Sequence, residues 1–147
     1  MLGRHRLWLE NVVTRVALGT DIFYAIGIEL RGNIHKVGEK MIYRSLYGPA
    51  YDRSQFYCKE VAGIKLAFTP PFADARIVFW NNILFEPRVV EFAKDQLCKL
   101  FVIRLLLSCM NLCPRHRPHC TNDFCTYFLV DEELEIPCSW KDGLQRV

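Results

Sequence analysis

The stretch from Glu86 to Pro114, EPRVVEFAKDQLCKLFVIRLLLSCMNLCP, limits the fold most, because it carries the longest apolar run and three of the seven cysteines. On a helical wheel Arg88, Glu91, Asp95 and Lys99 step by three or four into one solvated stripe. Arg104, Ser108 and Asn111 form a second stripe. The step of five from Lys99 to Arg104 separates the two. It predicts either one irregular helix, or a loop or short helix ending near Cys98 and a core helix beginning near Phe101. In the second segment Phe101, Val102, Ile103, Leu105, Leu106, Leu107 and Met110 leave only a narrow polar edge, so a buried helix is expected there. That segment is too short, and too interrupted by Arg104, to span a membrane.

A chain of 147 residues is expected to be a single domain, 1–147, with one sizeable core. Its 51% hydrophobic and 13% aromatic content argues against disorder. A net charge of +3 gives little reason to invoke nucleic acid. The opening MLGRHRLWLENVV has basic residues but neither a long apolar core nor a small-residue cleavage site, so no signal peptide is expected. An odd cysteine count without a secretion signal points to reduced thiols and to the cytoplasm or nucleus.

Leu7 to Leu18 reads as an amphipathic helix, with Trp8, Val12 and Val16 on one face and Arg4, Arg6 and Arg15 on the other; Gly19 suits its end. Strands are then expected over Ile22 to Leu30, Met41 to Tyr47, Phe56 to Phe68 with a bulge at Gly63, and Arg76 to Trp80. Arg31-Gly32-Asn33, Gly48-Pro49 and Thr69-Pro70-Pro71 separate them. Short sequential strands with tight links suggest an antiparallel meander, so the expected class is α+β: an N-terminal helix, a four-stranded antiparallel meander, then a buried core helix. CPRHRPHCTNDFC reads as a loop by its prolines, and Asp131, Glu132, Glu133 and Glu135 make an acidic tail segment of either strand or helix.

Cys109, Cys113, His116, His119, Cys120 and Cys125 crowd into 17 residues. Thiolate and imidazole are the ligands zinc prefers, and four suffice for a closed structural site. Cys113 and His116 have the spacing of a metal knuckle. Cys109 to Cys113 and Cys120 to Cys125 match no standard pair of hooks. On a continuing helix Cys109 and Cys113 would share a face as core residues. The alternative to a structural zinc is a basic surface loop with incidental cysteines. The sequence contains no glycine-rich phosphate loop, nucleophile elbow or His-Glu-x-x-His motif.

Several of these features resemble, in order, the ubiquitin-conjugating enzyme family, over about residues 4 to 118. The features are a basic first helix, Gly48-Pro49 after a strand-like segment, Phe68-Thr69-Pro70-Pro71-Phe72-Ala73, and Ile77-Val78-Phe79 with Ile83. Then come Glu86-Pro87-Arg88, Leu97-Cys98-Lys99-Leu100, and Leu106-Leu107-Ser108 with Leu112 and Pro114. The resemblance implies a UBC-like core over about 4–112, followed by a Cys/His-rich loop and acidic tail over 113–147. It implies Cys98 as the catalytic nucleophile, accepting a ubiquitin-like modifier as a thioester and passing it to a lysine amine, with Lys94 and Lys99 favouring the thiolate. It implies no cofactor, and as partners ubiquitin or a ubiquitin-like protein with an activating enzyme or ligase. Glu86 and Arg88 stand where the family has histidine and asparagine; Asn81 or Asn82 is a candidate replacement for that amide donor.

Two other readings remain. A non-catalytic relative would bind a partner in the same pathway through the basic first helix and the surface around Pro70-Pro71 and Trp80. A zinc-stabilised interaction protein would instead be organised by the Cys113 to Cys125 cluster.

Overall fold

Apolar positions four apart decide the first helix. In α1, Trp8–Gly19, Val13 and Ala17 share the buried face and pack with Ala25 on the strand that follows. The computed structural model describes residues 8–44, 48–113, 120–137 and 144–147. It is of mixed α and β structure, and the chain divides into two compact units, Met1–Ile64 and Lys65–Val147.

In the first unit, β1 (Ala25–Glu29) leads through α2 (Gly32–Arg44) and α3 (Gly48–Asp52) to β2 (Ser54–Cys58). The two strands pair in parallel, with Ala25 opposite Ser54 and Glu29 opposite Cys58. Arg53 closes the open end of α1: its Nη2 donates to the Ala17 carbonyl at 2.7 Å and its Nη1 to that of Thr20 at 3.1 Å. Lone carbonyls at a helix end need such donors. Glu29 is buried at the end of β1, where its carboxylate accepts from the Arg31 backbone N–H at 2.8 Å and Arg31 Nε at 3.0 Å. Burial alone would push this carboxyl up; the hydrogen bonds and charge of Arg31 outweigh it and hold the group below its usual range.

In the second unit, β3 (Ile77–Trp80) leads through α4 (Pro87–Cys98) to β4 (Leu105–Ser108), again as a parallel pair, with Ile77 opposite Leu105 and Trp80 opposite Ser108. Proline opens α4, where its missing N–H costs no intrahelical bond. Ala93 and Leu97 of α4 pack with Trp80, Leu100 and Phe124 into one core cluster. A five-residue helix, α5 (Asp123–Tyr127), follows, and β5 (Glu135–Pro137) pairs antiparallel with β6 (Leu144–Arg146).

Of the strands expected over Ile22 to Leu30 and Arg76 to Trp80, Ala25–Glu29 and Ile77–Trp80 form. The first helix forms too, but it buries Val13 and Ala17 and leaves Val16 exposed. The four-stranded antiparallel meander does not form; β1 to β4 pair two by two in parallel. Met41 to Arg44 is the last turn of α2, because Ile34, Gly38 and Ile42 fall on one buried helical face; positions 45–47 lie outside the described residues. The third strand stops at Cys58, and 3-10 turns over Val61–Gly63 and Leu66–Phe68 replace its second half and the expected bulge. The expected helix from Phe101 is also overturned. The helix is Pro87–Cys98, and the apolar run is the strand β4, with Phe101 90% exposed. A short apolar run serves a strand or a helix equally well; here the edge of β3 claims it, and the expected burial fails too, since Leu105 is exposed and Leu106 to Ser108 are only half-buried. The solvated stripe on Arg88, Glu91, Asp95 and Lys99 is present on α4 as expected. No helix among the described residues is long and apolar enough to cross a membrane.

Gly27 lets α1 lie against β1 and β2. A Cβ there would stand 3.1 Å from a ring carbon of Phe56, its partner across the ladder, and 3.1 Å from a Val13 methyl. Gly27→Val is expected to destabilise the first unit by about 1–3 kcal/mol through overpacking, read as a lower midpoint in urea.

Candidate metal centre and the Cys98 groove

Parallel pairing brings the ends of β3 and β4 to the same place, and there Asn82 ties them together. Its amide Nδ2 donates to the Met110 carbonyl at 3.2 Å and its Oδ1 accepts the Met110 N–H at 2.9 Å. Cys109 N–H adds a bond to the Trp80 carbonyl at 3.3 Å. From this anchored point the chain turns at Asn111, whose Oδ1 accepts the Cys113 N–H at 2.8 Å. Farther along, Asn122 caps α5: its side-chain oxygen accepts the Phe124 N–H at 3.0 Å. Phe124 enters the core beside Leu97 and stacks on Phe128 with ring centroids 4.8 Å apart. Cys125, next on this short helix, is thereby fixed in a buried position.

These two tethers, Asn111 before Cys113 and Asn122 before Cys125, converge. The thiols of Cys113, Cys120 and Cys125 all lie within 4.8 Å of one another, and Cys113 and Cys120 are 3.8 Å apart. Zinc bonded to thiolates at about 2.3 Å in a tetrahedron sets neighbouring sulfurs about 3.8 Å apart. The cluster therefore has the donor type and nearly the spacing of a metal centre. Burial, followed by hydrogen bonding with Cys113 and Cys120, pushes the Cys125 thiol up to about 12. Cys125 therefore holds its proton; a divalent ion at the centre of the cluster would reverse that preference. His116 and His119 lie outside the described residues. Cys109 is buried at the end of β4, apart from the three clustered thiols, and the helix that would have placed it on one face with Cys113 does not form.

Cys98 sits in different surroundings. It ends α4, half-buried against the core cluster, and lines a groove of about 400 Å³ between α4 and α5 together with Glu91, Asp95 and Asp123. Lys94 is itself buried, paired with Glu91 at 2.9 Å and lying 5.6 Å from the centre of the Phe124 ring. Lys99 is paired with Asp95 at 2.6 Å. Both lysines pull the Cys98 thiol down, as expected from their positions. Burial first, then the charges of Asp123 and Asp95, outweigh them and push it up. Asn82 spends its Oδ1 and one Nδ2–H on Met110 and is buried. Trp80 is buried in the core and presents no surface around Pro70-Pro71. Of the basic face of the first helix, Arg15 is exposed, while Arg4 and Arg6 lie outside the described residues.

No protein-family model, curated protein or solved structure matches this chain.

The clustered thiols were only partly visible in the sequence. Cysteine density marked the region, but spacing favoured a Cys113–His116 knuckle and did not single out Cys120 and Cys125 as partners of Cys113. The available signal was the asparagine before each: Asn111 two residues ahead of Cys113 and Asn122 three ahead of Cys125, each able to bond the backbone just beyond itself.

A thiol pushed above its ordinary range holds less thiolate at neutral pH, and the thiolate is the reactive form. Cys98 is therefore expected to alkylate several times more slowly with iodoacetamide at about pH 7.5 than an unhindered thiol of ordinary acidity. Its rate should keep rising beyond the pH at which that thiol levels off. Mass spectrometry of timed digests reads this out, and fast labelling at neutral pH would contradict the assignment.

Proposed function

We propose that the second unit is a zinc-stabilised interaction module, with Cys113, Cys120 and Cys125 supplying three thiolate ligands. The observation that carries this reading is the approach of all three thiols to within 4.8 Å. Energetics support it. Helices shorter than about 12 residues are marginal in water, and α5 has five. Its cap contributes about 1 kcal/mol, whereas a structural zinc is worth on the order of 10 kcal/mol. The metal would hold α5 in place, and with it the apolar residues just beyond Cys125. Tyr127, Leu129 and Val130 are 61%, 85% and 72% exposed, a surface suited to contact with a partner protein.

Metal analysis of the full chain, purified under reducing conditions with zinc supplied, tests the proposal. About one zinc per chain is expected, with loss of binding in Cys120→Ser. Chelation should remove hydrogen-exchange protection from Phe124 to Phe128 while leaving the β1–β2 amides protected. Less than about half an equivalent of zinc would sink the idea.

The resemblance to conjugating enzymes supports a second reading, in which Cys98, lining its groove between α4 and α5, accepts a ubiquitin-like modifier. Incubation with activating enzyme, ATP and several modifiers distinguishes the two. A reductant-sensitive adduct lost in Cys98→Ala would establish that reading; its absence with every modifier would leave the interaction module.

A further inference from the structure

We propose that the three-cysteine cluster is also an oxidation site, at which a hydroperoxide joins Cys113 to Cys120 and expels the metal. The inference rests on the zinc reading above. The two sulfurs are 3.8 Å apart, against about 2.05 Å in a disulfide. Both residues are half-buried, so a small oxidant reaches them, whereas Cys125 and Cys109 are buried. Cys113 follows the end of β4 and Cys120 precedes α5, both outside regular structure, while Cys125 is held in a capped helix beside the core residue Phe124.

The chemistry balances on these two thiolates and hydrogen peroxide. Cys113 sulfur attacks one peroxide oxygen, breaking the O–O bond, forming a sulfenic acid and releasing hydroxide. Cys120 sulfur then attacks the Cys113 sulfur, forming the S–S bond and displacing the second hydroxide. Two electrons pass from the sulfur pair to the peroxide, and two protons from water or buffer convert both hydroxides to water. Two zinc–sulfur bonds are lost in the process. The ion then has Cys125 as its only remaining thiolate among the clustered three, and it leaves to solvent. A thiol reductant reverses the sulfur chemistry and restores the ligands.

The test uses the zinc-loaded full chain, titrated with hydrogen peroxide while a chromophoric chelator reports free zinc and peptide mapping reports disulfides. Zinc release is expected to keep pace with a Cys113–Cys120 bond, and dithiothreitol with added zinc should restore both thiols and metal. Cys58→Ala should leave the release rate unchanged. Retention of zinc while Cys58 is oxidised would overturn the proposal, as would a dominant bond to Cys125 or Cys109. Cys125→Ser keeps the reacting pair and separates this inference from the zinc reading, because the Cys113–Cys120 bond should form in it whether or not metal binds. A wild-type chain that never loads zinc would overturn the metal reading and the release step together. Mapping of that peroxide-treated chain would still decide the pairing, and scattered oxidation would overturn it.

Discussion

Parallel pairing of Ile77–Trp80 with Leu105–Ser108 is the constraint on which the second unit depends. Parallel strands cannot be joined by a tight turn, so the chain must cross over, and α4 provides the crossover. That places Ala93 and Leu97 against Trp80 and builds the core cluster into which Phe124 later packs. It also ends both strands on the same side, where Asn82 grips Met110 through two hydrogen bonds and directs the following residues toward the cysteine cluster. The candidate site is thus a consequence of strand direction.

The two kinds of cysteine show how surroundings decide thiol chemistry. Cys98 has two lysines nearby, but each is paired with a carboxylate, and burial with Asp123 and Asp95 dominates the balance. Such a thiol packs well and ionises reluctantly. For Cys113, Cys120 and Cys125 the deciding neighbours are one another. Close approach and burial disfavour the Cys125 thiolate, a preference that a bound metal ion would reverse.

Sequence periodicity placed α1, the strands around 25–29 and 77–80, and the solvated stripe along α4. It failed where a segment's state depends on a distant partner. Met41 to Arg44 has strand-like composition but continues a helix whose buried face is already set by Ile34 and Gly38. The Leu105-Leu106-Leu107 run has no period that separates a strand from a helix, and only the edge of β3 resolves it. The thiol cluster failed to emerge for a related reason. Asn111 and Asn122 leave a local signal, but the long-range grip of Asn82 on Met110 and the packing of Phe124 in the core are contacts that spacing does not encode.

By itself, the sequence determined the mixed α and β class, the first helix, the polar face of the second unit's helix and the region rich in metal ligands. Each follows from local propensity or from residue chemistry within a few positions. The tertiary structure decided strand direction, which thiols meet, and whether Cys98 faces cations or carboxylates. Those outcomes depend on contacts between residues far apart in the chain, where pairing geometry and burial override what any single segment prefers.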